Sequence, residues 1–129
     1  MKRHPIDLQI EKADKAIVAE EFDELMDIYT DDAVLVIELG RNAVEKNEIR
    51  KAFEAIAVYF KNGLQVEQNG LEILESLDTA LVLANTVVSS PGFPATERKA
   101  TYVFNKSVGG IWLCSVDNSY GHEIIEKNA

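Results

Sequence analysis

Residues 100–121, ATYVFNKSVGGIWLCSVDNSYG, indicate the class of fold most clearly. Apolar and polar residues alternate on both sides of Gly109-Gly110, which is typical of a β-hairpin with a glycine turn. The apolar side carries Tyr102, Phe104, Trp112, Cys114 and Val116. Followed two and four residues beyond Val116, the same side reaches Asn118 and Tyr120. A strand that is apolar at one end and hydrogen-bonding at the other predicts the wall of a pocket.

Beyond the hairpin, the sequence predicts mainly strands in the second half of the chain and mainly helices in the first half. The apolar spacing predicts a helix through Ile10 and Ile17, a short helix from Phe22 to Tyr29, and a third helix after Asn47. The predicted strands are Ala33–Leu39, Leu64–Leu74, Thr79–Ser89, Glu97–Asn105 and Ile111–Tyr120. No linker or repeat interrupts the pattern, so we interpret residues 1–129 as one α+β domain.

The composition argues against several classes of function. A net charge of −9 without a basic patch argues against binding to nucleic acid or to an anionic membrane. The N-terminal residues lack the apolar segment of a signal peptide, and no apolar run is long enough to span a membrane. The single cysteine, Cys114, allows no internal disulfide. Because this suits a reducing compartment, we expect a cytoplasmic protein.

The predicted strand Thr79–Ser89 carries information about assembly. Consecutive residues are apolar in Ala80–Ala84 and again in Val87-Val88, so both faces of this strand are apolar there. A strand of a sheet with one solvent-facing side alternates instead. Three helices cover only one face of such a sheet, so the other face is either covered by a partner or partly exposed. We favour a homodimer through the outer sheet face.

Two short motifs carry a family resemblance: Tyr29-Thr30-Asp31-Asp32-Ala33 and Gly110-Ile111-Trp112. With the order of elements around them, nearly the whole chain resembles the nuclear transport factor 2-like superfamily, in particular its SnoaL-like and ketosteroid-isomerase-like small bacterial proteins. The resemblance implies a cystatin-like cone, with three N-terminal helices packed in the concave face of a curved antiparallel (mixed) sheet, a conical cavity and commonly a dimer. One departure is Glu45, where many relatives carry glycine.

The residues that steroid isomerases of this fold require are absent. Those enzymes use a carboxylate base together with a Tyr and a protonated Asp. Aligned without gaps, these positions fall on Ile37, Ala13 and near Ala100, whose side chains cannot transfer a proton. Glu38 adjoins the base position. A shift of one residue turns a strand side chain to the opposite face, unless a β-bulge re-aims it.

Pairing the two hairpin strands predicts a binding site. We place Phe104 opposite Trp112, as an aromatic pair beside the turn, which sets Tyr102 beside Cys114. Arg98, Tyr102, Asn118 and Tyr120 then share one face. This donor-rich cluster suits a small carboxylate or a ketone. The alternative is that Arg98 lies in water at the end of the sheet and Asn118 caps a strand.

Further candidates come from the same pairing and from the helices. The expected apolar lining of the cavity is Phe53, Ile56, Phe60, Tyr102 and Trp112. Asn85 interrupts an apolar strand and needs a partner, either backbone or cavity, and we favour the cavity. Asp14 lies beside an apolar helical stripe, where surface exposure is favoured over a place in the cone. The register pairs Asp117 with Lys99 on the other face, which predicts an ion pair instead of a catalytic acid.

Two functions therefore remain open. The first is a small-molecule-binding protein with a conical cavity, in which any chemistry is isomerase- or cyclase-like and Asp14 and Glu38 are weak candidates for its base. The second is a non-catalytic dimerisation or association module. We expect neither a metal nor another cofactor, because His4 and His122 lack metal-ligand spacing and no glycine-rich phosphate loop is present.

Overall fold

The helices and strands follow the hydrophobic pattern of the sequence. The computed structural model describes residues 3–125. Its first half contains helices α1 (Pro5–Ala19) and α2 (Phe22–Met26), strands β1 (Tyr29–Glu38) and β2 (Arg41–Val44), and helix α3 (Glu45–Tyr59). Its second half contains strands β3 (Gln65–Ser76), β4 (Thr79–Ser90), β5 (Phe93–Lys106) and β6 (Trp112–Asn118), followed by a 3₁₀ turn, Gly121–Ile124.

The six strands form one mixed sheet in the order β2-β1-β6-β5-β4-β3. Strands β1 and β6 run parallel, and the other neighbours run antiparallel. The core lies between the helices and one face of the sheet; its largest fully buried side chains are Ile6, Leu25, Ile28, Ile49 and Val82. We call this side the inner face and the other side the outer face. The predicted α+β architecture of three helices on a mixed sheet is confirmed.

Several elements differ from the sequence prediction in their boundaries or were not predicted. Tyr29, expected at the end of the second helix, begins β1 instead, and Asp31-Asp32 continues that strand as exposed residues. Strand β2 was not predicted, because its four residues, Arg41–Val44, alternate too briefly to give a period. Helix α1 is capped by His4, since His4 Nδ1 accepts a hydrogen bond from the Ile6 backbone N–H at 3.0 Å. No helix in the described range is long and apolar enough to cross a membrane.

The turn into α3 explains the departure at Glu45. Helix α3 begins at Glu45 and not after Asn47, and the Glu48 carboxylate accepts a hydrogen bond from the Val44 backbone N–H at 2.9 Å. Glu45 itself has φ of +69°, in the left-handed region that favours glycine. A non-glycine residue in this conformation costs about 1–2 kcal/mol. Glu45 is exposed, so no buried contact compensates for that cost.

Glu45→Gly is therefore expected to stabilise the protein. The free energy of unfolding should rise by about 1 kcal/mol, because the relief of backbone strain exceeds the extra freedom that glycine gives the unfolded chain. Urea denaturation measures the change. The control is Glu54→Gly, at an exposed position inside the same helix, which should lower the free energy of unfolding by about 1 kcal/mol. An E45G protein no more stable than the parent would contradict the assignment of strain.

Candidate functional site

A cavity of about 220 Å³ lies between the inner face of the sheet and helices α1 and α3. Most of its lining is apolar and comes from both helices and from the sheet: Ile10, Ala13, Ile17, Ile28, Leu35, Ile37, Phe53, Ile56, Phe60, Val66, Val88 and Phe104. Its main polar groups are Asp14, Tyr29, Thr86, Arg98, Tyr102, Asp117 and Tyr120. A few polar side chains in an otherwise apolar concavity are typical of small-molecule sites.

A β-bulge in β6 decides which residues of that strand face the cavity. Phe104 of β5 pairs with Cys114, but the next residue, Val103, pairs with Val116. Ser115 is therefore an extra residue in β6. Its hydroxyl donates to the side-chain oxygen of Asn105 at 2.6 Å and also lies 3.2 Å from the Val103 carbonyl oxygen. The bulge reverses the parity of the strand, because one inserted residue turns every later side chain to the opposite face.

Asp117 is the main consequence of this reversal. It pairs with Tyr102 across β5 and β6, and both side chains line the cavity. The Tyr29 hydroxyl donates to Asp117 Oδ2 at 2.6 Å. Burial raises the pKa of Asp117, and the Tyr29 hydrogen bond partly opposes this rise. The predicted register and the predicted Asp117–Lys99 ion pair are thus wrong, because the β6 residue Asp117 lies opposite Tyr102 of β5 and not opposite Lys99.

Asp14 is the second carboxyl group of the cavity. It projects from α1, where the sequence favoured surface exposure, and its Oδ2 accepts a hydrogen bond from Gln68 Nε2 at 3.0 Å. The pKa of Asp14 is raised to about 7, mainly by burial and also by the charges of Asp117 and Glu11. The Gln68 hydrogen bond opposes these effects. A carboxyl group near half-ionised at neutral pH can both take up and release a proton.

A chain of hydrogen bonds continues from Asp14 across the sheet. The Thr86 hydroxyl donates to Gln68 Oε1 at 3.0 Å and lies 3.3 Å from the Tyr102 hydroxyl. Gln68 reaches this position because a second bulge, between Gln68 and Leu71 of β3, separates it from the core residues that follow. Burial and the nearby charge of Asp117 raise the pKa of Tyr102. Tyr102 is therefore a neutral phenol across the physiological range.

The predicted cluster around Arg98 is brought together only in part. Arg98, Tyr102 and Tyr120 line the cavity, but Asn118 does not. The Asn118 side chain closes the turn after β6: its Oδ1 accepts from the backbone N–H groups of Tyr120 and Gly121, both at 3.1 Å. This arrangement is an Asx turn, so the alternative role of Asn118 at a strand end is the one observed.

Arg98 is also less available than the prediction of an anion site assumed. Its guanidinium lies 4.4 Å from the centre of the Tyr120 ring and 3.6 Å from the Glu123 carboxylate. The side chain is 31% exposed. The Tyr120 hydroxyl donates to the Ile37 carbonyl oxygen at 3.0 Å, which holds the ring under the guanidinium. The positive charge of Arg98 is thus already compensated within the chain.

Three further candidates lie away from the cavity. Asn85 is on the outer face, because Ala84 and Thr86 on either side of it are buried on the inner face. Trp112 is buried in the core beside His4 and does not line the cavity. Glu38 is exposed and pairs with Arg41 at 3.5 Å, since the bulge between Val36 and Glu38 does not turn it inward. The assignment of Asn85 and Trp112 to the cavity was therefore wrong, whereas Glu38 faces away from the cavity, as its offset of one residue from the base position predicted.

The remaining candidate, Phe53, lies on the cavity wall, where the sequence placed it. It packs against the Tyr29 ring, with 6.3 Å between the ring centres. Ala13 and Ile37, at two of the positions that steroid isomerases use, also line the cavity and are apolar. The carboxyl groups of this chain therefore enter the cavity from other positions, Asp14 and Asp117.

Five polar residues of the site were missed or undervalued by the sequence analysis: Asp14, Asp117, Tyr29, Gln68 and Thr86. Three of them, Asp117, Tyr29 and Gln68, lie beside a β-bulge or an element boundary that the sequence did not reveal. The alternation of the sequence therefore did not show on which face these side chains lie. A usable signal was present at Asn69-Gly70, since an isolated glycine in a strand marks a bulge. No comparable signal marks Ser115.

The described residues show neither a metal-binding cluster nor a reactive cysteine. Within residues 3–125, no group of three or more His, Cys, Asp or Glu side chains is arranged to hold a metal ion. Cys114 is buried, and burial together with the charge of Asp117 raises the pKa of its thiol. A thiol in this environment packs as a small apolar side chain and is a poor nucleophile.

Comparison with solved structures identifies the fold. No family model matches the chain, and neither does any curated protein. A protein of unknown function with a cystatin-like fold from Nostoc punctiforme is similar, at a TM-score of 0.77 and 17% identity over 87% of this chain and 84% of that one. A nuclear transport factor 2-like protein of unknown function from Pseudomonas putida matches at 0.75 and 17% identity, over 87% and 80% of the two chains.

A third similar structure contains a bound molecule. It comes from Catenulispora acidiphila, in complex with S-DNPA, with a TM-score of 0.71 and 15% identity over 87% of each chain. At these identities the likeness is one of fold. The chain has the cystatin-like, nuclear transport factor 2-like fold, which confirms what the sequence resemblance implied about architecture.

The raised pKa of Asp14 predicts a specific pH dependence of stability. The pKa is about 7 in the folded protein and about 4 in an unfolded chain, so the folded state holds the extra proton between these values. The free energy of unfolding therefore falls as the pH rises from about 4 to about 7. Asp14→Asn has no carboxyl group at this position, so it does not suffer this loss. The difference in the free energy of unfolding between the variant and the parent should therefore shift in favour of the variant by about 2 kcal/mol from pH 5 to pH 8.

Urea denaturation of the parent and the variant at both pH values measures the difference. Asp27→Asn, at an exposed carboxyl group after α2, serves as the matched control and should show no such pH-dependent gain. If D14N and the parent differ by the same free energy at pH 5 and pH 8, the Asp14 carboxyl group is not held in the apolar cavity.

Proposed function

We propose that the cavity binds a small, largely apolar carbonyl compound and catalyses proton transfer on it, as isomerases and cyclases do. The observation that carries this proposal is the pair of carboxyl groups with raised pKa values, Asp14 and Asp117, on the walls of an otherwise apolar cavity. Perturbed carboxyl groups in a cleft are characteristic of acid–base sites.

The volume and lining of the cavity limit the size of the ligand. An apolar cavity of about 150 Å³ holds benzene. The cavity of about 220 Å³ therefore has room for one ring with a short side chain. Phe53, Phe60 and Phe104 supply aromatic contact area, which favours a ring over an open chain.

Asp14 and Tyr102 are suited to different roles. Ionised Asp14 accepts a proton from the carbon next to the ligand carbonyl, because its pKa of about 7 lies near the working pH. The charge left on the carbonyl oxygen then needs a hydrogen-bond donor. The neutral phenol of Tyr102, which lines the same cavity, supplies it. Return of the proton from Asp14 to another carbon completes an isomerisation.

Exchange of carbon-bound protons tests this proposal without knowledge of the natural substrate. Acetophenone has one ring, a carbonyl group and acidic methyl protons. Incubated with the protein in D₂O, it should exchange its methyl protons for deuterium faster than in buffer, followed by proton NMR. Asp14→Asn should slow the exchange at least tenfold, because an amide cannot accept the proton.

Two controls keep this test specific. Asp27→Asn should exchange acetophenone as fast as the parent protein. A folded parent protein that gives only the buffer rate, with acetophenone and with a panel of other small aryl and cyclic ketones, would contradict the proposed activity. A D14N variant as active as the parent would contradict the role of Asp14.

A homodimer through the outer sheet face is a second proposal, supported by an apolar strip across three strands. Leu74 of β3 pairs with Leu81 of β4, and Leu81 pairs with Val103 of β5. Leu81 is 38% exposed and its neighbour Leu83 is 45% exposed. Strand β4 is apolar on both faces because its inner face packs in the core and its outer face forms part of this strip. The strip also supports the alternative function of a non-catalytic association module.

Light scattering during size-exclusion chromatography tests the dimer. The parent protein at micromolar concentration should elute with twice the mass of one chain. The double variant Leu81→Lys/Leu83→Lys should elute as a monomer, because paired charges cannot be buried across the strip. Val58→Lys, at an exposed apolar position of α3, is the matched control and should stay dimeric. A monomeric parent protein at this concentration would contradict the proposed dimer.

A further inference from the structure

Gln68 connects the carboxyl group of Asp14 to the sheet. Helix α1 and strand β3 pack together here, and both residues line a groove between the two elements. Asp14 also lines the cavity, so its carboxyl group lies at the boundary between the cavity and this groove. Across this boundary, Gln68 Nε2 donates to Asp14 Oδ2 at 3.0 Å.

Thr86 sets the orientation of the Gln68 amide from the neighbouring strand. The two residues are directly paired across β3 and β4, and the buried Thr86 hydroxyl donates to Gln68 Oε1 at 3.0 Å. An ionised Asp14 only accepts hydrogen bonds, so the amide nitrogen faces Asp14 and the amide oxygen faces Thr86. The single proton of Thr86 is then not needed by Tyr102, whose own proton can serve the ligand carbonyl.

No charged group of the described residues donates a hydrogen bond to Asp14. On the cavity side, Asp117 acts on Asp14 only through its charge, Tyr102 is a neutral phenol, Tyr29 donates to Asp117, and Arg98 pairs elsewhere. Helix α3 contributes only apolar side chains to the cavity. On the groove side, the charged neighbours are Arg3, Asp7, Glu11, Lys15 and Glu67. Both cations of this set pair with Glu11.

The Gln68 hydrogen bond makes the two oxygens of Asp14 unequal. Oδ2 is held by the amide, whereas Oδ1 has no hydrogen-bond partner among residues 3–125. A hydrogen bond to one oxygen fixes the rotation of the carboxyl group and stabilises its charged form. The oxygen without a partner is the one left to take up a proton.

We infer that Gln68, held in orientation by Thr86, is the positioning residue of Asp14: it fixes Oδ2 and leaves Oδ1 to exchange a proton with the ligand. This inference deepens the proposed function and rests on it for the ligand proton. The hydrogen bonds themselves can be tested without any ligand, because they act directly on the ionisation of Asp14.

The ionisation of Asp14 in Gln68→Met is the first test. The side-chain carboxyl ¹³C resonance, assigned by comparison with Asp14→Asn, is followed by NMR from pH 4 to pH 10. Methionine keeps the length of the side chain but cannot donate. The titration midpoint should rise by about one pH unit, because one hydrogen bond to a charged group changes the ionisation equilibrium about tenfold. Gln65→Met, at an exposed position of the same strand, is the matched control and should leave the midpoint unchanged.

Two variants of Thr86 separate the orientation of the amide from packing. Thr86→Val keeps the shape of the side chain but loses the hydroxyl, so the midpoint of Asp14 should rise, by less than in Q68M. Thr86→Ser keeps the hydroxyl and should restore the midpoint of the parent protein. A midpoint that moves as far in T86S as in T86V would reflect packing and overturn the role of the Thr86 hydroxyl.

The pH profile of acetophenone exchange separates positioning from an effect on charge alone. In the parent protein the rate should rise with the ionised fraction of Asp14, with a midpoint near pH 7. In Q68M the midpoint should move up with that of the NMR titration. The rate at pH 9 should also fall at least threefold, although the base is stronger, because Oδ1 is no longer held toward the ligand. An undiminished rate at pH 9 would overturn the positioning role.

The outcomes distinguish this inference from the proposal on which it rests. An Asp14 midpoint that Gln68→Met leaves unchanged, in a protein that exchanges acetophenone protons, would overturn the inference alone. A folded parent protein that exchanges no ketone, while Q68M and T86V move the midpoint as expected, would overturn the proposed function and support the hydrogen-bonded positioning of Asp14.

Discussion

The β-bulge at Ser115 is the constraint on which the site depends. Without the extra residue, Val116 and Asn118 would continue the inner face begun by Trp112 and Cys114, and Asp117 would face the outside. With it, Asp117 lies beside Tyr102 and within reach of the Tyr29 hydroxyl. The bulge is stabilised locally, because the Ser115 hydroxyl finds a partner in Asn105. One inserted residue therefore brings the Asp117 carboxyl group to a cavity wall that is otherwise mostly apolar.

The cost of this arrangement is electrostatic. Removing a carboxylate from water into apolar surroundings is unfavourable, and the protein responds by raising the pKa values of Asp14 and Asp117. Each carboxyl group keeps one hydrogen bond, from Gln68 or Tyr29, which limits the shift. Neither group packs like the leucines and isoleucines of the core around it. A polar pair that lowers stability in this way is expected where function, and not folding, determines the residue.

The fold was predictable from the sequence because its signals are local and repeated. The apolar stripe of α3 through Ile49 and Phe53 and the strand pattern of β5 gave the elements in their correct order. The site was predictable only where a side chain follows its element without interruption, as Phe53 and Tyr102 do. The sequence analysis assigned three further residues to the cavity because it extended the alternation of a strand or relied on aromatic character: Asn118, Asn85 and Trp112. A serine bulge carries no signal in the alternation, so the parity of Asp117 could be learned only from the paired strands.

The ionisation of Asp117 is the most direct test of this account. Its side-chain carboxyl ¹³C resonance, assigned by comparison with Asp117→Asn, is followed by NMR from pH 3 to pH 9. If the bulge directs Asp117 into the cavity, its pKa lies above the ordinary value of about 4, and it rises further in Tyr29→Phe, where the hydrogen bond that opposes the rise is lost. A midpoint near pH 4 that Tyr29→Phe leaves unchanged would place Asp117 in water on the outer face and contradict the account.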